Sequence, residues 1–195
     1  MKKIDFLMAG VGGQGTILGS NILAEVGLRL GYDVKKAEVH GMAQRGGMVE
    51  SHVRWGEKVY SPTVVEGEVD YLLGFEMLEA ARWPSFLHSN AISLVNNYRI
   101  NPPAVNLGKA NYPAKKDLES LFTAGGARLI WIDATEIARN EGNPAAAGVV
   151  IMGALSTLLG GEENDWLDVI TKLVPPKFVD LNTRAFKKGR SSMSA

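Results

Sequence analysis

The stretch Ala9-Gly10-Val11-Gly12-Gly13-Gln14-Gly15 constrains this chain more than any other, because its four glycines join a short apolar run directly to a helical pattern. Ile4 to Met8 has the length and apolarity of a buried strand. Thr16 to Leu30 repeats apolar side chains at Ile17, Ile22, Leu23, Val26 and Leu30, the spacing of one helix face. A strand that passes straight into a helix needs residues without a Cβ at the turn. The same residues let backbone N–H groups approach an anion, which the positive end of the helix dipole also attracts.

Beyond the first helix, strand and helix patterns alternate. Val34 to Val39 reads as a second strand after the turn Gly31-Tyr32-Asp33. Met48 to Trp55 alternates Val49, Ser51, Val53 and Trp55 with Glu50, His52 and Arg54, which predicts a half-exposed strand, with Val59 to Ser61 as its hairpin partner. Tyr71 to Phe75 reads as a core strand, and Ala91 to Asn96 and Arg128 to Asp133 as further strands. Glu76 to Arg82, Lys116 to Thr123, Ala134 to Asn140, Ala145 to Leu159, Asn164 to Leu173 and Lys177 to Lys188 read as helices. Arg99 to Pro113 is expected to be a surface connection, with room for a short strand around Val105. The expected fold is therefore α/β: a Rossmann-like three-layer arrangement with a largely parallel sheet, a β-hairpin insertion and C-terminal helices.

Length and composition narrow the possibilities. At 195 residues, a single domain spanning 1–195 is expected. The 21 basic and 21 acidic side chains cancel, so no nucleic-acid surface is advertised, and the basic run Arg184, Lys187, Lys188, Arg190 reads as a solvated end. Cysteine is absent, which removes disulfides and thiolate ligation of zinc or iron–sulfur clusters from this chain's own chemistry. Lys2 and Lys3 are followed by no adequate apolar run, and Pro144 to Gly161 is too short and too dilute to span a bilayer. A cytoplasmic location away from membranes is expected.

Gly10, Gly12 and Gly15 match G-x-G-x-x-G in its strand–helix context. In a dinucleotide site an acidic residue about 20 positions on holds the ribose, and Glu38 is the candidate. Lys35 and Lys36 beside it count against that assignment, as does a glycine-rich loop where a helix should continue. A second reading leaves the glycines with tight packing alone. His40, Gln44, Arg45, Gly46 and Gly47 form a second group, suited to an anion or carboxylate: Arg45 offers a two-pronged guanidinium, and the glycines let the backbone bend close to a ligand or another subunit. The bland alternative is a loop whose polar groups satisfy one another. His52 is expected on the polar face of its strand and His88 in a loop. No transition-metal site is expected, nor any catalytic nucleophile–base pair. Glu76, at the end of a core strand, reads first as a helix-start carboxylate.

The run AGVGGQG, then AEVHGMAQRGGMVESHVRWGEKVYSP, then Tyr71-Leu72-Leu73-Gly74-Phe75-Glu76 and Leu78-Glu79-Ala80, resembles the gamma-type subunits and domains of 2-oxoacid:ferredoxin oxidoreductases. HGMAQRGG favours the indolepyruvate branch and its beta subunits. The resemblance implies a pyruvate/ketoisovalerate oxidoreductase gamma-type domain serving the oxidative decarboxylation of an aryl-2-oxoacid, with coenzyme A as co-substrate and ferredoxin, reached indirectly, as electron acceptor. It further implies that thiamine diphosphate and iron–sulfur clusters sit on a larger catalytic subunit, that this chain binds no cofactor alone, and that it is inactive by itself. Gly10, Gly12, Gly13, Gln14 and Gly15 would then form an anion-facing turn, with His40, Gln44, Arg45, Gly46 and Gly47 toward the partner or the acyl acceptor. The rival readings are an NAD(P)-binding oxidoreductase and a non-catalytic assembly subunit.

Overall fold

The computed structural model describes residues 2–40 and 47–193. In chain order the elements are β1 (Ile4–Val11), α1 (Thr16–Arg29), β2 (Asp33–His40), β3 (Met48–Gly56), β4 (Val69–Gly74), α2 (Met77–Ala80), β5 (Leu87–Asn96), α3 (Pro103–Asn106), α4 (Lys115–Thr123), β6 (Arg128–Ile132), α5 (Ala134–Asn140), α6 (Ala147–Leu159), α7 (Glu163–Leu173) and α8 (Val179–Ser191). The six strands form one sheet in the order β2-β3-β1-β4-β5-β6. β1, β4, β5 and β6 are parallel, and β3 is antiparallel to both β1 and β2. β2 therefore runs in the direction of β1, as a strand–helix–strand unit requires, but β3 is inserted between them.

The hairpin exists with a different partner from the one predicted. β3 pairs with β2 along its whole length, from Asp33 opposite Gly56 to His40 opposite Val49, and residues 59–61 form no strand. Those residues are anchored instead by polar groups: the Val59 amide donates to Asp33 (2.8 Å), and the Arg54 guanidinium donates to the carbonyls of Ser61 and Thr63. The segment after β3 thus folds over a sheet face that alternation had marked as solvent-facing. Val64 caps His52, which is only 3% exposed, and its amide donates to His52 Nδ1 (3.3 Å). His88 likewise lies on β5 rather than in a loop, with its Nε2 3.4 Å from Asp70. The stretch around Val105 forms the helical turn α3 and no strand. The C-terminal basic run belongs to α8 and is tied down, with Arg184 bonded to Glu141 and Arg190 to Ser156 and Glu163.

Period-two alternation sends β1 side chains to two cores. Phe6 and Met8, with Leu73 of β4 and Leu94 of β5, pack beneath α1, α6 and the helices behind them. Leu7, with Leu72 and Val95, packs on the other face against Val64 and against Phe122 of α4. Each such fully buried side chain contributes about 1.5–3 kcal/mol relative to exposure. α6 is the central helix, with ten of its thirteen residues buried. It crosses α8 through paired glycines: a Cβ on Gly153 would sit 2.1 Å from the Phe186 carbonyl oxygen, and one on Gly189 2.0 Å from that of Val150. The two backbones touch, which only glycine at both positions permits. Among the described residues no helix is long and apolar enough to cross a membrane.

Candidate functional site

The parallel strands deliver their carboxyl ends to one edge of the sheet, and the glycine loop lies there. Gly13 (φ 99°) and Gly15 (φ 83°) adopt left-handed backbone that side-chain-bearing residues enter at a cost, and Gly15 is the residue from which α1 departs. Gly10 serves a different purpose, since a Cβ there would lie 2.8 Å from Phe75 Cβ. It lets β1 press against the end of β4. The strand-to-helix turn and the close packing are thus served by different glycines.

Gln14 is committed to the loop itself. Its Oε1 accepts from the Val11 amide (2.7 Å), and its Nε2 donates to the Phe75 carbonyl (2.8 Å). The same carbonyl accepts from Asn96 Nδ2 (3.1 Å), which also donates to Thr135 Oγ1 (2.8 Å). One backbone oxygen thus joins the loop to the end of β5 and the start of α5. Asn96 and Thr135 are both buried.

Around this junction lies a recess of about 340 Å³, walled by Gly12, Gly13, Tyr98, Ile100, Thr135 and Ala145 among others. One helix opens beside it without compensation: α1 begins with no side-chain cap and no acidic residue in its first turn, whereas α6 continues from the turn Pro144–Ala146, where the Asn143 side chain accepts from the Ala145 amide (2.9 Å). A helix start without such partners presents unbonded N–H groups and partial positive charge. The Thr16 hydroxyl, at the first position of α1, is buried and finds no hydrogen-bond partner among the described residues. The recess therefore favours a ligand with an anionic part beside apolar and aromatic surface.

Of the second group, Gln44, Arg45 and Gly46 lie outside the described residues. His40 ends β2, and Gly47 accepts a hydrogen bond from the Gly12 amide through its carbonyl (2.9 Å). The β1–β3 register sets Val11 opposite Met48, so the two segments singled out in sequence meet at one edge. Glu38 is not brought there. With β3 inserted, β2 stands two strand spacings from β1, about 10 Å rather than about 5 Å. Its carboxylate is engaged by Ser20 (3.0 Å) and Lys36 (2.6 Å). The ribose-binding role read for Glu38 is corrected by this topology.

Glu76 is the N-cap of α2, accepting from the Glu79 amide (2.8 Å), as read. It also takes two donors from a distant segment, described below. Sequence reading missed Asn96, Tyr98, Ile100 and Thr135. The available signal was their position immediately at or after the ends of β5 and β6, where ligand crevices form in open parallel sheets.

The chain has no cysteine to ligate an iron–sulfur cluster, and the described residues contain no cluster of three acidic or histidine groups able to hold a metal ion.

The comparisons with known proteins agree with this architecture. The sequence matches the family described as pyruvate ferredoxin/flavodoxin oxidoreductase over residues 5–192. It is 39% identical to indolepyruvate oxidoreductase subunit IorB of Thermococcus kodakarensis, covering 97% of this chain and 95% of that one. It is 38% identical to the subunit of the same name from Archaeoglobus fulgidus, covering 96% and 94%. The fold matches the gamma subunit of a keto/oxoacid ferredoxin oxidoreductase from Geobacter sulfurreducens, with TM-score 0.72, 24% identity and 98% of both chains covered. It also matches 2-oxoglutarate:ferredoxin oxidoreductase from Magnetococcus marinus, solved with 2-oxoglutarate, coenzyme A and succinyl-CoA, with TM-score 0.76 and 20% identity over all of this chain and 31% of that one. On the extent of these matches, and with a fold to suit, the chain belongs to the pyruvate ferredoxin/flavodoxin oxidoreductase family.

Proposed function

We propose that this chain is the small subunit of an indolepyruvate-type 2-oxoacid:ferredoxin oxidoreductase, acting as one gamma-type domain beside a larger subunit that carries thiamine diphosphate and the iron–sulfur clusters. The reaction served is oxidation of an aryl-2-oxoacid and coenzyme A to acyl-CoA and carbon dioxide, with the two electrons passing to ferredoxin. The subunit's own contribution is positioning and exclusion of water. The observation that carries this reading is the recess at the carboxyl edge, where the uncapped start of α1 and the Gly12–Gln14 turn adjoin one space of about 340 Å³. An anionic acyl acceptor with an apolar arm suits that combination, and coenzyme A has both. His40, Gln44, Arg45, Gly46 and Gly47 are the residues we assign to recognition of the partner or the acyl acceptor.

Separate purification of the two subunits tests the proposal. Ferredoxin reduction by indolepyruvate and coenzyme A should appear only on mixing; full activity of the larger subunit alone would overturn it. Arg45→Ala then distinguishes a site role from scaffolding. Activity lost within an intact complex supports the site, whereas loss of the complex supports assembly alone.

A further inference from the structure

Glu76 is 1% exposed, yet among the described residues none of the hydrogen-bond donors to its carboxylate is a lysine or arginine. Besides capping α2 it accepts from the Ile100 amide (3.0 Å) and from the Tyr112 hydroxyl (2.5 Å), and that hydroxyl accepts in turn from the Leu78 amide (3.1 Å). The Met77 amide donates to the Tyr98 carbonyl (3.1 Å), and the Arg99 guanidinium lies 4.3 Å over the Tyr112 ring. The proline-rich segment between β5 and α4 is thus fastened at both of its ends to the tip of β4. Its near end supplies Tyr98 and Ile100 to the wall of the recess. A buried carboxylate held by neutral donors is expensive to keep. A connection that merely closed the chain would not require it.

We infer that Glu76 and Tyr112 are positioning residues: through the segment they fasten, they set the Tyr98–Ile100 wall and hence the affinity of the recess for the acyl acceptor. This rests on the function proposed above. The pair touches no reacting atom. Its effect is therefore on ligand capture, with the chemical step left intact.

The test uses the reconstituted two-subunit enzyme. Tyr112→Phe removes the hydroxyl that bridges Glu76 and Leu78, and should raise KM for coenzyme A about five- to twenty-fold, with kcat within about two-fold and KM for ferredoxin unchanged. Ile100→Ala, which alters the wall without disturbing the pin, should give the same split without lowering Tm. A fall in Tm for Tyr112→Phe with both substrate KM values unchanged would make the pair purely structural and overturn the inference, as would an unchanged KM for coenzyme A in Ile100→Ala. A rise confined to indolepyruvate would keep the pin and overturn the assignment of the recess to coenzyme A. Failure of the wild-type mixture to reduce ferredoxin would strike the proposed function instead.

Discussion

The two edges of the sheet handle polarity in opposite ways. At the amino edge, charged side chains neutralise one another: buried Asp5 is gripped by Nε and Nη2 of Arg54 (2.9 and 3.1 Å) and approached by Lys3 (3.0 Å), which also pairs with Glu68. Arg54 further ties down the carbonyls of Ser61 and Thr63. At the carboxyl edge the groups that converge beside the glycine loop are amides. Gln14 and Asn96 converge on one carbonyl, and the start of α1 is left without a capping side chain. An edge whose charges are mutually satisfied offers little to a ligand. One with unbonded N–H groups around a recess offers a preorganised anion site.

On this contrast, the largest effect on stability belongs to the amino edge. Arg54→Ala leaves Asp5, at 0% exposure, without its bidentate partner, and loss of one member of a buried ion pair costs about 3–5 kcal/mol. Lys3 remains 3.0 Å away, which places the expected loss near the lower end, about 3 kcal/mol. Denaturant titration of the chain measures it. The folded remainder should still support ferredoxin reduction with unaltered KM values, and a selective rise in KM would erase the distinction between the edges.

Gln14→Ala should show the converse. Loss of its bonds to Val11 and Phe75 is expected to lower stability by about 1–2 kcal/mol. Activity of the reconstituted enzyme should fall by a larger factor than that loss of folded protein explains, because the turn that aims the Gly13 and Gly15 amides is released. Equal proportional losses would reduce Gln14 to a packing residue.

The smallest effect comes from His52, beneath the segment that covers β3. Burial holds its imidazole below the ordinary value of 6.5, with Glu50 opposing the shift. The folded state therefore prefers the neutral ring. Stability is fully present above pH 6.5 and falls as pH drops from there through the lower folded value, where the unfolded chain binds a proton that the folded chain resists. Thermal melts between pH 7.5 and 5 should show a decline that His52→Gln removes; a decline of equal size in the variant would assign it to other groups.

Much of the fold was legible in the chain because local patterns and tertiary structure agree. β1 and α1 form where apolar spacing and the glycine turn place them, and α5 occupies the predicted Ala134–Asn140 span. One error shows what local pattern leaves out. Alternation in Met48–Trp55 was read as one wet face, but the segment after β3 covers that face, and alternation reports polarity without saying what lies above it. The same gap explains the missed recess residues. Asn96, Tyr98, Ile100 and Thr135 look unremarkable in sequence and acquire a role only when parallel strands end side by side.

Sequence by itself determined that β1 must turn through glycines into a helix, that the sheet would be largely parallel and that thiolate chemistry is absent from this chain, because each follows from residue identity and local spacing. Tertiary structure alone decided that β3 enters between β2 and β1, carrying Glu38 away from the glycine loop, and that Glu76 is joined to Tyr112 across 36 residues. Strand order and long-range hydrogen bonds depend on which surfaces bury one another, and no local pattern encodes that choice.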